Sequence, residues 1–247
     1  MCDETWHGTL SARLIATMCE GVELYIARVF DTNNANHEHG PKLMAQAIEW
    51  AVEPQHAVDI ISISAGFAKH SLELEDAIDK ASGSGALVFA AASNWGNRGG
   101  HVAYPARHSF KTICMFSTNT DDQASSFNPE ARSHTDNFAI LGEDLEHPAD
   151  PRKRESGTSM ATAIAAGLAA RIVDFSRHED NETIDRVAKV GSIAGMTAIF
   201  RSISKPAGRC QCLAPLRLMS ERYDSRSRES NRDYVRESIN RAMMRAD

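Results

Sequence analysis

A histidine, an asparagine and a serine stand in three short segments: His7-Gly8-Thr9, Ala90-Ala91-Ala92-Ser93-Asn94 and Gly157-Thr158-Ser159-Met160-Ala161-Thr162. The first opens a helical stretch, the second ends a buried strand in a polar amide, and the third is a glycine turn running into an alanine-rich helix. A serine at a helix N-terminus sits among unpaired backbone N–H groups at the positive end of the dipole, which suits an oxyanion. A histidine held nearby can take the serine's proton as general base. An asparagine beyond the end of a parallel strand projects where ligands bind in open α/β sheets. Its amide can supply a second oxyanion donor. Singly, each residue has a plainer reading: a surface histidine, an N-cap serine, a turn asparagine. Together, in this order and on these elements, they point to nucleophilic attack on a carbonyl.

The elements that must position them alternate along the chain. Helices are expected over Thr9 to Cys19, Pro41 to Val52, Leu72 to Ala81 and Ser159 to Phe175, from apolar spacing and from the glycine and proline stops. Strands are expected at Val22 to Phe30, Val58 to Ser64, Ala86 to Ala92 and Lys111 to Ser117, where apolar residues run together. Repeated strand–helix–strand units argue for an α/β fold with a mostly parallel sheet covered on both faces. The alanine helix, with Gly167 in its middle, belongs near the centre. Beyond about Ser204 the composition shifts, and residues 217–247 read as a solvated helix or flexible tail.

Bulk properties narrow the field. With 247 residues, 42% hydrophobic and 24% charged, the chain can bury a sizeable core. A net charge of −6, with acids interleaved among the C-terminal arginines, argues against a nucleic-acid partner. No apolar run reads as a membrane span, and no secretory signal opens the chain. Cys2, Cys19, Cys114, Cys210 and Cys212 form an odd, scattered set that suits a reducing, cytoplasmic compartment. Cys210-x-Cys212 and His37-Glu38-His39 read as ordinary loop residues, so no metal site is assigned. Asn181-Glu182-Thr183 is a glycosylation acceptor only in a secreted protein.

These segments resemble the subtilisin-like serine proteases, peptidase S8, and a branch found inside fungal cells. HGT at 7–9 is similar to the family's histidine motif, and GTSMAT at 157–162 to its nucleophile motif. ISISAG at 61–66 resembles the segment that pairs with substrate, FAAASN at 89–94 the strand carrying the oxyanion asparagine, and Tyr104-Pro105-Ala106 a further family segment. The resemblance implies a three-layer subtilisin-like fold over residues 1–203, followed by a polar extension at 204–247. It implies a serine endopeptidase acting through an acyl-enzyme on peptides or proteins. Ser159 is then the nucleophile, His7 the general base, and the Asn94 side chain and Ser159 N–H the oxyanion donors. Substrate backbone lies along Ser64, Ala65 and Gly66, and Ala90, Ala91 and Ala92 wall the pocket for the residue before the scissile bond. No cofactor is implied; family calcium sites exist, but their ligands have no identifiable match here. The oligomeric state is left open.

The chain departs from the pattern in one large way. The family's aspartate precedes the histidine on a first core strand, and only six residues precede His7. Asp3 lies in a loop with no strand to aim it. The expectation is a catalytic domain that lacks the first core strand and is N-terminally incomplete. Loss of that aspartate costs about 3 × 10⁴ in kcat in subtilisin, so the alternative is a catalytically dead module that binds peptides or regulates a partner. An α/β-hydrolase fits poorly, because Ser159 lies in GTSMA rather than Gly-x-Ser-x-Gly. Smaller departures are Trp6 before the histidine, Arg13 and Ser93 where the family has glycine, and Ala163 where it has proline.

Overall fold

The computed structural model describes residues 3–30, 38–96, 99–108, 110–219 and 228–246. Its helices include α1 (His7–Met18), α2 (Gly40–Ala51), α3 (Leu72–Gly83), α4 (Thr158–Ser176), α5 (Ile193–Ser202) and α6 (Arg228–Met243). Its strands are β1 (Ile60–Ile63), β2 (Leu87–Ala91), β3 (Ile113–Thr118), β4 (Phe138–Leu141), β5 (Leu145–His147), β6 (Asp150–Glu155), β7 (Ser204–Ala207) and β8 (Cys210–Leu213). The four expected helices and three of the four expected strands are present, within a few residues at their ends.

Six strands form one sheet in the order β1-β2-β3-β4-β8-β7. The first five are parallel; β7 returns antiparallel beside β8. Strand alternation divides the core. Leu87 and Phe89 face the layer built by α4, α5 and α6, whereas Val88 and Ala90 face α2 and α3. Helices thus cover both faces, the arrangement that continuous apolar strands require.

At the centre α4 buries fifteen of its nineteen residues, from Thr158 to Ser176. It has the length and hydropathy of a membrane span, contrary to the sequence expectation, but 78% of that window is buried inside the protein. Its neighbour α1 packs closely. A Cβ on Gly167 would lie 2.9 Å from the Ile15 carbonyl oxygen and 2.7 Å from the Met18 Cβ. Ile15 is eight residues after His7, and Gly167 is eight after Ser159. Both helices rise about 1.5 Å per residue. This contact fixes how closely α1 packs on α4.

Two expectations need correction. Val22–Phe30 is not a strand: it pairs with no strand among the described residues. Its β-branched and aromatic composition reports side-chain preference, whereas a ladder needs a neighbouring backbone. Nor is the C-terminal stretch wholly solvated. Ile239, Ala242, Met243 and Ala246 are buried against the α4–α5 layer, and 204–213 belongs to the main sheet.

Candidate active site

Ser159 occupies the first turn of α4, directly after the Gly157 N-cap. Its hydroxyl donates to the Ser64 carbonyl at 3.1 Å, and the Ser64 hydroxyl donates back to the Ser159 carbonyl at 3.1 Å. This reciprocal clasp ties the first turn of α4 to the end of β1. The Ser159 N–H has no acceptor among the described residues, as expected of a first-turn donor. Gly157 N–H donates to the Gly142 carbonyl at 2.7 Å, which anchors the turn beyond β4.

Asn94 follows β2 and reaches the same turn. Its Oδ1 accepts from Thr158 N at 2.9 Å and Thr158 Oγ1 at 3.0 Å. With the oxygen held, the Nδ2 group points along Gly157 and has no acceptor among the described residues. Two spare N–H donors, one from the backbone and one from an amide, therefore flank Ser159, as an oxyanion site requires. Thr158, which aims Asn94, was not singled out in the sequence, although it lies inside the GTSMAT segment. A Cβ on Gly157 would sit 2.9 Å from Asn94 Nδ2. Gly157→Ala should therefore displace the amide and slow acylation of Ser159 about 10²-fold with little change in Tm. Backbone strain does not contribute, because φ at Gly157 is extended. Single-turnover labelling beside a thermal melt checks both.

His7 opens α1 in a half-buried position. Burial pushes its imidazole below the ordinary value of 6.5, while the charges of Asp3 and Glu155 pull the other way. Its ring nitrogens have no hydrogen-bond partner among the described residues. His7 and Ser159 line one cleft, yet the serine proton goes to Ser64 rather than to the imidazole. Asp3 is committed elsewhere. Its Oδ2 accepts from Thr9 N at 2.7 Å and Thr9 Oγ1 at 2.8 Å, and its Oδ1 from Thr5. Burial would raise its pKa, but these bonds outweigh that and hold it at about 2. Asp3 thus caps α1 in place of Trp6, which stands at the N-cap without a capping side chain.

Ser64, Ala65 and Gly66 line the cleft, and so does Ala91. Ala90 and Ala92 turn to the opposite face and pack in the α2–α3 core, because neighbouring strand residues alternate. Ser93 has φ 137°, a region that favours glycine. Ser93→Gly should relieve about 1 kcal/mol and raise Tm by about 2–4 °C, read by calorimetry. Arg13 finds the outlet its position demands: it is half exposed and 3.9 Å from Glu146 of the β5–β6 hairpin. Trp6 stands edge-on to His147 of the same hairpin, ring centroids 6.3 Å apart.

Other sequence candidates lie away from the cleft. Asn181 is fully buried, its amide donating to the Phe175 carbonyl and its oxygen accepting from Arg236, so it is closed to a glycosyltransferase. Cys114, Cys210 and Cys212 are buried, with burial pushing their thiols up to about 12, 11 and 11. Glu38 and His39 are exposed; His37 lies outside the described residues. Among the described residues no cluster of three or more His, Cys, Asp or Glu side chains is gathered as for a metal ion.

Residues 2–190 match the model of the subtilase family. Subtilisin E of Bacillus subtilis is 33% identical over 189 residues, 71% of this chain and 47% of that protein. The subtilisin-like protease het-Q2 of Podospora anserina is 31% identical over 228 residues, covering 84% and 62%. A thermostable alkaline protease of Halalkalibacterium halodurans is 28% identical over 217 residues, covering 84% and 58%. The chain thus spans less than two thirds of the length of each. Among solved structures, the prenylagaramide maturation protease PagA superposes with a TM-score of 0.65 at 22% identity, over 87% of this chain and 82% of that one. The patellamide maturation protease PatA gives 0.55 at 23%, over 71% and 66%. The chain belongs to the subtilase family, the subtilisin-like serine proteases.

Proposed function

We propose that the protein hydrolyses peptide bonds through an acyl-enzyme. Ser159 attacks the carbonyl, His7 accepts its proton, and Asn94 Nδ2 with the Ser159 N–H receives the oxyanion. The observation that carries this reading is the pair of unpartnered donors beside Ser159, with the Asn94 amide oriented by Thr158. Substrate backbone lies along Ser64, Ala65 and Gly66 at the end of β1, as an added strand. A second reading, a peptide-binding module without turnover, is favoured by one observation: no carboxylate bonds to the His7 ring among the described residues. Fluorophosphonate treatment followed by peptide mapping separates the two. Adduct at Ser159 that is absent in Ser159→Ala supports catalysis. An unmodified, well-folded chain that still binds extended peptides supports the module.

A further inference from the structure

Strand β3 outruns its neighbour β2. β2 ends at Ala91, and just beyond it the Ala92 N–H donates to the Met115 carbonyl at 2.9 Å. Backbone groups alternate sides along a strand, so the N–H and C=O of Ser117, two residues on, face the side that β2 has left. The Asn128 side chain fills that place. Its Oδ1 accepts from Ser117 N at 2.9 Å, and its Nδ2 donates to the Ser117 carbonyl at 2.7 Å. A carboxamide offers a donor and an acceptor side by side, the pair that a strand neighbour would supply.

The supports of both cleft donors meet at this clamp. On one side the end of β3 carries the turn before Ser159. The Thr118 carbonyl accepts from Gly142 N at 3.0 Å, and the Gly142 carbonyl from Gly157 N at 2.7 Å. The path has no slack: a Cβ on Gly142 would lie 2.5 Å from Ser117 Oγ and 2.7 Å from the Gly157 carbonyl oxygen. On the other side segment 127–128 carries the loop after Asn94. The Phe127 carbonyl accepts from Gly96 N at 3.0 Å. A Cβ on Gly96 would lie 1.7 Å from the Asn128 carbonyl oxygen, so the two backbones touch. We propose that Asn128 is a positioning residue: by locking segment 127–128 to the end of β3, it fixes the separation between the Asn94 Nδ2 donor and the Ser159 N–H donor. It touches no reacting atom. What the donors receive rests on the proteolytic reading, whereas their mutual placement does not.

Amide NMR of the full chain reads the donors directly, at the Asn94 side chain and the Ser159 backbone. Asn128→Ala should shift both resonances. Asn128→Asp keeps the size and the acceptor but loses the donor to Ser117, and should shift them too. Ile199→Val, in the buried core of α5, is the control for lowered stability. Fluorophosphonate labelling reads the consequence. Asn128→Ala should lower the maximal labelling rate about 10²-fold and leave the half-saturating concentration within about twofold. Asn94→Ala alone should cost about 10²–10³-fold. Adding Asn128→Ala to it should cost less than about tenfold more, because the side chain acts largely through a donor already removed. Losses that multiply to about 10⁴–10⁵-fold overturn the proposal. So do Asn94 and Ser159 resonances that stay in place in a folded Asn128 variant, or move as far in Ile199→Val. Hydrogen exchange on the wild type needs no variant: the Ser117 N–H should exchange as slowly as the ladder N–H groups of β3, and rapid exchange overturns the proposal. A chain that labels in no form fails the proteolytic reading, and the NMR comparison still judges the placement.

Discussion

Replacing Ser159 by alanine is expected to abolish covalent capture by fluorophosphonates and to drop peptide hydrolysis to the floor set by binding and oxyanion stabilisation. The size of the drop depends on the state of His7. In subtilisin, of the same family, loss of the serine or histidine alone costs about 2 × 10⁶ in kcat, and loss of the aspartate alone about 3 × 10⁴. A site without a carboxylate on its imidazole therefore stands only about 70-fold above the floor. The chain should lose about 70-fold in turnover on Ser159→Ala. Folding should be nearly unaffected. The hydroxyl contributes one hydrogen bond, to the Ser64 carbonyl, and the Ser64 hydroxyl's bond to the Ser159 backbone survives. A turnover rate indistinguishable between wild type and Ser159→Ala, measured on a fluorogenic peptide, would remove Ser159 from the reaction.

Replacing His7 by alanine should reach the same floor, because nucleophile and base act as a unit. The wild-type pH profile carries the more specific expectation. Capture at Ser159 needs the neutral imidazole, so the rate rises as pH increases through the His7 pKa. Burial sets that pKa below 6.5, with Asp3 and Glu155 opposing it. The inflection should therefore lie on the acid side of 6.5 and vanish in His7→Ala. Stability follows the same sign. The unfolded chain takes up a proton at 6.5 that the folded chain refuses until a lower pH. His7 therefore leaves stability untouched above 6.5 and costs stability as pH falls from 6.5 toward the depressed value. Chemical denaturation at several pH values should show this slope in wild type and lose it in His7→Ala. An inflection above 6.5 in the isolated chain would contradict the placement of His7.

The local chemistry was legible because each motif carries its own geometry. A glycine turn entering an alanine helix, and an asparagine closing a buried strand, specify where Ser159 and Asn94 stand without knowledge of the rest. The α1–α4 register was half legible: Gly167 announced close packing, but its partner, the Ile15 carbonyl, is visible only in three dimensions. Segment 22–30 misled because side-chain pattern cannot report whether a neighbouring backbone is there to pair with. The buried stripe of α6 was hidden among arginines and glutamates, since Ile239 and Met243 are few among many charges. The outlet for Arg13 depended on Glu146 in a hairpin whose second strand, DPRKRE, has no apolar alternation to betray it.

The four described thiols have a practical consequence. Cys19, Cys114, Cys210 and Cys212 are each at most 7% exposed, and burial holds all four on the protonated side. Maleimides and iodoacetamide attack the thiolate, so these positions stay silent while the fold is intact and become reactive when it opens. Alkylation mapped at these four positions by mass spectrometry is thus an intrinsic reporter of unfolding, independent of any assay of the cleft.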